Sequence, residues 1–379
     1  MNAENLPGSG SESGFFRKEK KFDFGIIYKP IGMIFFLYIF ILSITLLGDS
    51  FKLFGKDFAE TLLSTTANPI VGLFIGILAT SIIQSSSTTT SILVAMVGTG
   101  SISLECAIPI VMGANIGTTI TNTMVSLTHI TRSREFSRAF AGAIVHDIFN
   151  VLVVIILFPL QYYTNFLGHA AVFLTDIFEN SGGLHFISPI KTMTMPVVKL
   201  IIAWLGNNPW YSTIASFIFL FVALKFMVDI MKSLVISRVE GFFSKYIFKT
   251  TFRAVVLGII LTAIVQSSSI TTSLIVPLVG AGILSLRQVF PYTLGANIGT
   301  TVTAILASLV TQNPAAVAVA FAHLLFNVIG MAIFLPLSFI PINLAKRLSK
   351  SALKNRMVPI IFILLLFFLI PLCVIYLLR

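Results

Sequence analysis

Residues Leu73 to Leu127 of this chain overlay Val255 to Leu309 without a gap, at one constant offset of 182, and 28 of the 55 positions are identical. Each copy carries Gln-Ser-Ser-Ser, at Gln84 to Ser87 and Gln266 to Ser269. Each then carries Gly-Ala-Asn-Ile-Gly-Thr-Thr at the same distance, at Gly113 to Thr119 and Gly295 to Thr301. The chain is internally duplicated, so whatever it folds into must contain two similar units. The distinctive shared residues are Gln, Ser, Thr, Asn and Gly, set in segments otherwise made of Ile, Val and Leu.

The composition fixes the solvent. With 56% hydrophobic and 10% charged residues, the chain departs from soluble globules, in which about a quarter of residues are charged. It reads as an integral membrane protein. A ~30 Å hydrocarbon core takes roughly 20 apolar residues to span, and crossings are expected near 31–48, 107–128, 139–163, 211–231, 289–311, 315–341 and 357–378. The first has no small-residue cleavage site after it and is expected to be retained.

The net charge of +11 does not point to nucleic acid, because the basic residues sit just outside the apolar runs. They group as Arg17, Lys18, Lys20 and Lys21; Arg132, Arg134 and Arg138; Lys232, Arg238, Lys245 and Lys249; and Lys346, Arg347, Lys350, Lys354 and Arg356. That is the positive-inside pattern, which puts the N-terminus and these loops in the cytoplasm and the connection from Tyr163 to Trp210 outside. Cys106 and Cys373 have no metal or redox spacing. The Gly-, Ser- and Asn-rich first 15 residues read as a disordered tail.

Three expected crossings separate the two Gln-Ser-Ser-Ser runs. An odd number turns the chain over, so the copies should lie inverted in the membrane, a plan that secondary transporters use to build a midplane site. Asn68 to Gly100 and Ala254 to Gly282 are too long for one crossing and are interrupted by polar residues. Each reads as a re-entrant helical hairpin with Gln-Ser-Ser-Ser at its tip, tolerable at that depth only where it is buried or lines a water-filled cavity. The expected fold is therefore an all-α polytopic membrane protein of two inverted-topology repeats, each with a re-entrant hairpin.

The tip hydroxyls, together with the amides of Asn115 and Asn297 in the Gly-Ala-Asn-Ile-Gly-Thr-Thr copies, can bind the oxygens of an oxyanion or ligate a hard cation. Broken helix ends add a positive pole for an anion and a negative pole for Na⁺. Neither hairpin contains Lys or Arg, so a bound divalent anion needs co-bound cations. Small polar residues also serve plain helix packing, but a paired Gln is costly in lipid and hard to explain that way. His146-Asp-Ile-Phe-Asn and His323-Leu-Leu-Phe-Asn form a further repeat; packing and function fit the histidines equally. Asp147 is unmatched, and either serves function or pairs with Arg138. A polar-lined anion channel or a carrier for another oxyanion is the alternative. A serine hydrolase needs one unique base geometry, which duplication does not favour.

Paired QSSS runs, each followed by GANIGT, with AFAGAIVHDIFN after the first, resemble the type II sodium-phosphate cotransporters over about Pro69 to Leu335. The resemblance implies a sodium-coupled importer of inorganic phosphate, not an enzyme, with Na⁺ as coupling ion and no organic cofactor. Ser85, Ser86 and Ser87 with Ser267, Ser268 and Ser269 would hold phosphate, with Asn115 and Asn297 in the same set. Gln84, Gln266, Ser267, Thr300 and Thr303 would line sodium sites, with Thr118 and Thr121 as symmetry mates of the two last threonines. Animal members carry a glycosylated, disulfide-bonded outer loop, whereas Tyr163 to Trp210 has neither cysteine nor Asn-x-Ser/Thr acceptor. The chain thus looks like a compact, bacterial-type member of an inner membrane. A full final crossing would leave Arg379 outside, unlike the cytoplasmic C-terminus of animal members. The expected division is an N-terminal segment 1–30, a first repeat 31–163 with its hairpin at about 69–100, a connection 164–210, a second repeat 211–345 with its hairpin at about 254–282, and a basic loop with the last helix at 346–379. Inorganic phosphate, sodium and the bilayer are the expected partners, nucleic acid is not, and a homodimer is left open.

Overall fold

The computed structural model describes residues 25–55, 57, 61, 67–131, 133–181, 188–239 and 250–378. The expected disordered tail, the basic cluster Arg17 to Lys21, and Arg132, Lys245, Lys249 and Arg379 lie outside the described residues, as do the side chains of Lys232 and Arg238. Among the described residues every regular element is helical, and seven helices are long and apolar enough to cross a membrane: Tyr28–Leu53, Leu104–Leu127, Ser133–Thr164, Pro209–Ile230, Leu286–Thr311, Pro314–Phe334 and Met357–Leu378. They match the seven expected crossings. The sixth stops at Phe334 rather than near 341, because Pro336 has no N–H to bond the carbonyl of Ala332 and its ring crowds that carbonyl.

In chain order, α1 is Gly25–Leu53, α2 Pro69–Ile83, α3 Ser86–Gly98, α4 Leu104–Gly117, α5 Ile120–Leu127 and α6 Ser133–Thr164. Then come α7 Phe166–Asn180, α8 Ser188–Trp204, α9 Pro209–Val239, α10 Thr251–Val265, α11 Ser268–Ser273 and α12 Ile275–Gly280. The chain ends with α13 Leu286–Thr311, α14 Pro314–Phe334, α15 Phe339–Lys354, α16 Met357–Leu364 and α17 Ile370–Leu378.

Each expected hairpin segment is a pair of helical arms broken at the glutamine. Asn68 accepts from Ile70 N to cap α2, and Pro69 fits its first turn. The break itself is left-handed backbone, with φ 58° at Gln84 and 56° at Gln266. A non-glycine residue rarely adopts that conformation. The next serine restarts the helix: Ser85 Oγ accepts from Thr88 N at 3.2 Å, and Ser267 Oγ from Ile270 N at 3.4 Å. A hydroxyl pair then ties the two arms together, Thr80 to Thr89 at 3.0 Å and Thr262 to Thr271 at 2.8 Å. The return arms differ. Pro277 in the second copy crowds the carbonyl of Ser273, and the arm breaks at Leu274 into α11 and α12. Ala95 stands at the matching place in the first copy, and α3 runs on unbroken.

The glycines of the second motif account for the packing of each outgoing arm. Gly113-x-x-x-Gly117 and Gly295-x-x-x-Gly299 lie along α4 and α13, facing α2 and α10. A Cβ at Gly113 would collide with the carbonyl oxygen of Leu73, and one at Gly295 with that of Val255. The opposing glycines, Gly76 and Gly258, meet the backbones of Ile110 and Tyr292 in the same way. Small residues on both sides let the backbones touch, the usual source of attraction between helices where lipid removes the hydrophobic drive.

The base of the first hairpin lies against the far end of α13. Gly98 packs on Thr311, and Asn313 Nδ2 donates to Gly98 O at 2.9 Å. The near end of α13 follows directly from the base of the second hairpin, where Arg138 Nε donates to Gly280 O at 2.8 Å. One helix of 26 residues thus runs from one hairpin base to the other. A shared core closes around them, with Phe149 of α6 set edge-on to Phe290 of α13 and Phe334 of α14, ring centroids 5.9 and 5.8 Å apart.

The connection after Tyr163 is not a plain loop. Helix α7 packs on α14 through Phe178 and Phe321, ring centroids 5.9 Å apart. Val198 and Ile202 of α8 cluster with Leu42 and Leu46 of α1. Charged residues such as Asp176, Glu179 and Lys199 interrupt both segments, so neither stands out as an apolar run.

Candidate functional site at the two hairpin tips

The two tips meet. Ser87 Oγ, in the first turn of α3, donates to the carbonyl of Gln266 at the break of the other hairpin, 3.0 Å away. Ser269 Oγ of α11 donates to Thr118 O at 3.2 Å. That carbonyl is free because the first Gly-Ala-Asn-Ile-Gly-Thr-Thr helix breaks between α4 and α5, whereas its second copy continues through α13. Duplicated sequence therefore builds an asymmetric junction.

Beside this junction is a cavity of about 300 Å³. From the tips it takes Gln84, Ser85, Ser87, Gln266, Ser267 and Ser269, with Thr121 from α5. Both helix breaks open onto it, so it has the N–H-rich starts of α3 and α11 together with the C=O-rich ends of α2 and α10. An anion suits the first and a cation the second. Six of the expected residues, and Thr121 as a seventh, are brought together there.

The remaining expected residues lie elsewhere. Ser86 and Ser268 are buried at 4% and 2% exposure and do not line the cavity; one position along a helix turns a side chain by about 100°. Asn115 and Asn297 belong to a buried chain of hydrogen bonds. His146 Nε2 lies 2.6 Å from Asn297 Oδ1, Asn297 Nδ2 donates to Asn150 Oδ1 at 2.7 Å, and Asn150 Nδ2 donates to Asn115 O at 2.8 Å. Asn122 Nδ2 faces His146 Nδ1 at 3.3 Å and Thr272 Oγ1 at 2.9 Å. Asn115 Oδ1 is 3.4 Å from His323 Nε2. Each histidine thus faces the asparagine of the opposite copy, a pairing that spacing alone does not reveal.

Four of the oxygens expected to bind sodium are buried without a partner: Thr118 Oγ1, Thr121 Oγ1, Gln266 Oε1 and Thr303 Oγ1. Leaving a buried acceptor unpaired costs about 1–3 kcal/mol, so such a group is met by an ordered water or by a ligand. Thr300 differs, since its hydroxyl already donates to Ala296 O at 3.0 Å. Gln84 is exposed at the cavity's edge, whereas its mate Gln266 is buried.

Two features were not among the expected site residues. Asp147 does not pair with Arg138, whose Nε is taken by Gly280 O. Its Oδ2 accepts from Thr123 Oγ1 at 2.6 Å, its Oδ1 has no partner, and it is fully buried. Thr123 and Asp147 have no counterparts in the second copy, where Ile305 and Leu324 stand. The cavity wall also includes Lys225 and Asp229, four residues apart on α9. The tips alone carry no charge; the cavity carries one of each sign.

The Na+/Pi-cotransporter family model matches residues 39–179 and 218–369. Sodium-dependent phosphate transport protein 2A of Ovis aries is 34% identical over 95% of this chain and 69% of its own length. Sodium-dependent phosphate transport protein 2B of Homo sapiens is 32% identical over 89% of this chain and 64% of its own length. The chain spans about two thirds of the length of these relatives. No solved structure matches it. With both Gln-Ser-Ser-Ser runs meeting at one junction and a family model covering most of its length, the chain belongs to the Na+/Pi-cotransporter family.

Proposed function

We propose that this chain is a sodium-coupled carrier that imports inorganic phosphate by alternating access. The observation that carries the reading is the meeting of the two tips, Ser87 Oγ on Gln266 O at 3.0 Å, beside a cavity lined by both Gln-Ser-Ser-Ser runs. Phosphate oxygens are held by Ser85 and Ser267, whose hydroxyls accept from α3 and α11 and keep a proton to donate, by Ser87 and Ser269 on exchanging their bonds to Gln266 O and Thr118 O, and by the first-turn amides of α3 and α11. Sodium is held by Gln266, Thr118, Thr121 and Thr303, whose unpartnered oxygens are hard-cation ligands. Asp147 joins the cation-binding set: a carboxylate buried without a basic partner is tolerable as an anion when a cation sits beside it.

The copies 31–163 and 211–345 act as inverted repeats. Support comes from α13, which links the base of one hairpin to the base of the other and at 26 residues is about 39 Å long. The N-terminus and the loops rich in Lys and Arg are cytoplasmic in a bacterial inner membrane. The cavity reaches α9 at Lys225 and Asp229, toward its basic end, which is the arrangement of an inward-facing carrier.

The test is uptake of labelled phosphate into proteoliposomes under an imposed sodium gradient, with potassium as control. Saturable uptake driven by sodium alone is expected. Non-saturating flux indifferent to the cation would make the protein a channel.

A further inference from the structure

At the base of the second hairpin, remote from the tips, is a second cavity of about 380 Å³. Four basic side chains line it from three helices: Arg138 of α6, Arg287 of α13, and Lys346 and Lys350 of α15. No Asp or Glu is among its lining residues. The nearby Glu135 faces His129, at 3.7 Å. Four like charges around one cavity raise its potential and draw in an anion.

Two features make this more than a scatter of interfacial lysines. Arg138 is anchored by its Nε on Gly280 O at 2.8 Å. Its Nη1 abuts Gly282, where φ is +78° and an added Cβ would come within 3.0 Å. With Nε so tethered, the guanidinium keeps its outer N–H groups for a planar, two-pronged contact of the kind phosphate accepts. The first turn of α13, at Leu286 and Arg287, also lines the cavity, so the positive end of a helix of 26 residues adds to the field.

We propose that this cavity binds a phosphate-bearing anion, separate from the substrate at the tips. Two sources share that chemistry: the headgroup of an anionic phospholipid, since basic pockets between membrane helices bind such headgroups, and free phosphate.

The experiment uses the full chain purified in detergent. Native mass spectrometry counts retained phosphatidylglycerol against phosphatidylcholine, and calorimetry in sodium-free choline buffer titrates inorganic phosphate. Both are run on the unmodified protein, on K346Q/K350Q, and on K354Q, which alters an exposed lysine of the same helix outside the cavity. All variants are first checked for unchanged thermal midpoint and helical content. Losing charge-assisted hydrogen bonds is expected to weaken phosphatidylglycerol retention about tenfold or more in K346Q/K350Q and to leave K354Q unchanged. If that dependence appears with inorganic phosphate and not with the lipid, the source is free phosphate and the site stands. Equal losses in K354Q, or no dependence of either ligand on Lys346 and Lys350, overturn the proposal.

Discussion

His146 Nε2 lies 2.6 Å from Asn297 Oδ1, which joins the histidine of the first copy to the motif asparagine of the second. With Asn122 Nδ2 facing the other ring nitrogen, the consistent arrangement is a neutral ring that donates from Nε2 and accepts at Nδ1. The reciprocal contact, His323 Nε2 to Asn115 Oδ1, is longer at 3.4 Å, and His323 Nδ1 is left unpartnered. A double-mutant cycle is expected to resolve the difference. Alanine at His146 and Asn297 should show coupling of about 1 kcal/mol or more, and alanine at His323 and Asn115 a smaller value. Thermal midpoints of the purified protein provide the measurement, and equal couplings would mean that the 2.6 Å contact has no special strength.

Labelling tests the inverted arrangement. Lys52 lies at the last turn of the first crossing and is exposed, as is Arg134 in the first turn of the third. Single cysteines at the two positions, in a background with Cys106 and Cys373 replaced, should react with an impermeant maleimide from opposite faces of the membrane. Reaction of both from one face would remove the inverted-repeat reading, whatever the transport activity.

The motif serines divide by where they point. Ser87 and Ser269 line the cavity and join the tips, while Ser86 and Ser268 are buried away from it. Ser87→Ala and Ser269→Ala should raise the phosphate concentration for half-maximal uptake about fivefold, less than the full worth of a hydrogen bond to a charged group because each hydroxyl must first give up its bond to Gln266 O or Thr118 O. Ser86→Ala and Ser268→Ala should change it by less than about threefold, since a buried Ser to Ala exchange there removes no ligand contact. The reverse order would place the substrate on the other face of α3 and α11.

These divisions mark what the sequence makes legible. Duplication and the polar runs reveal two hairpins and their breaks, because Gln-Ser-Ser-Ser in an apolar segment has few other uses. They do not reveal that Ser87 rather than Ser86 reaches the cavity, since one residue of helix rotation separates the two. Asn115 and Asn297 carry amides suited to a ligand, and the sequence does not reveal that their oxygens face histidines of the opposite copy while their nitrogens donate to Val111 O and Asn150 Oδ1. Pro277 against Ala95 is visible in the alignment of the copies, yet its effect on the arm follows only from the carbonyl of Ser273. Lys225 and Asp229 lie outside both motifs, so only tertiary packing brings them to the site.

Lys225 supplies the cavity's positive charge and is exposed on α9. An ammonium at the mouth attracts phosphate through a screened field, so its effect is modest and depends on salt. Lys225→Gln should raise the phosphate concentration for half-maximal uptake about twofold to fivefold at low ionic strength and by less at high salt. Lys225→Arg should keep the original value. An effect of Lys225→Gln that ignores ionic strength, and that Lys225→Arg does not rescue, would indicate a packing role.

Charge balance ties sodium to phosphate. At the proposed site the serine hydroxyls and helix ends would bond phosphate without neutralising it, and Lys225 is offset by Asp229 one turn along α9. Asp147, buried on α6 with no basic partner, is an anion only with a cation beside it. Cations must therefore enter with the anion, and linkage requires sodium to tighten phosphate binding by the factor with which phosphate tightens sodium binding. The unpartnered oxygens rank the ligands. Gln266→Ala removes an oxygen that is buried and unbonded, and should raise the sodium concentration for half-maximal uptake about fivefold or more, the equivalent of one lost ligand contact. Thr300→Ala removes a hydroxyl already bonded to Ala296 O, and should raise it less. Asp147→Asn keeps the shape and deletes the charge, so it should weaken sodium dependence most, because an ion loses more than one neutral ligand. Phosphate binding to the purified protein, titrated at several sodium concentrations with choline holding ionic strength constant, checks all three. An affinity for phosphate that does not change with sodium would break the coupling and return the site to the channel reading.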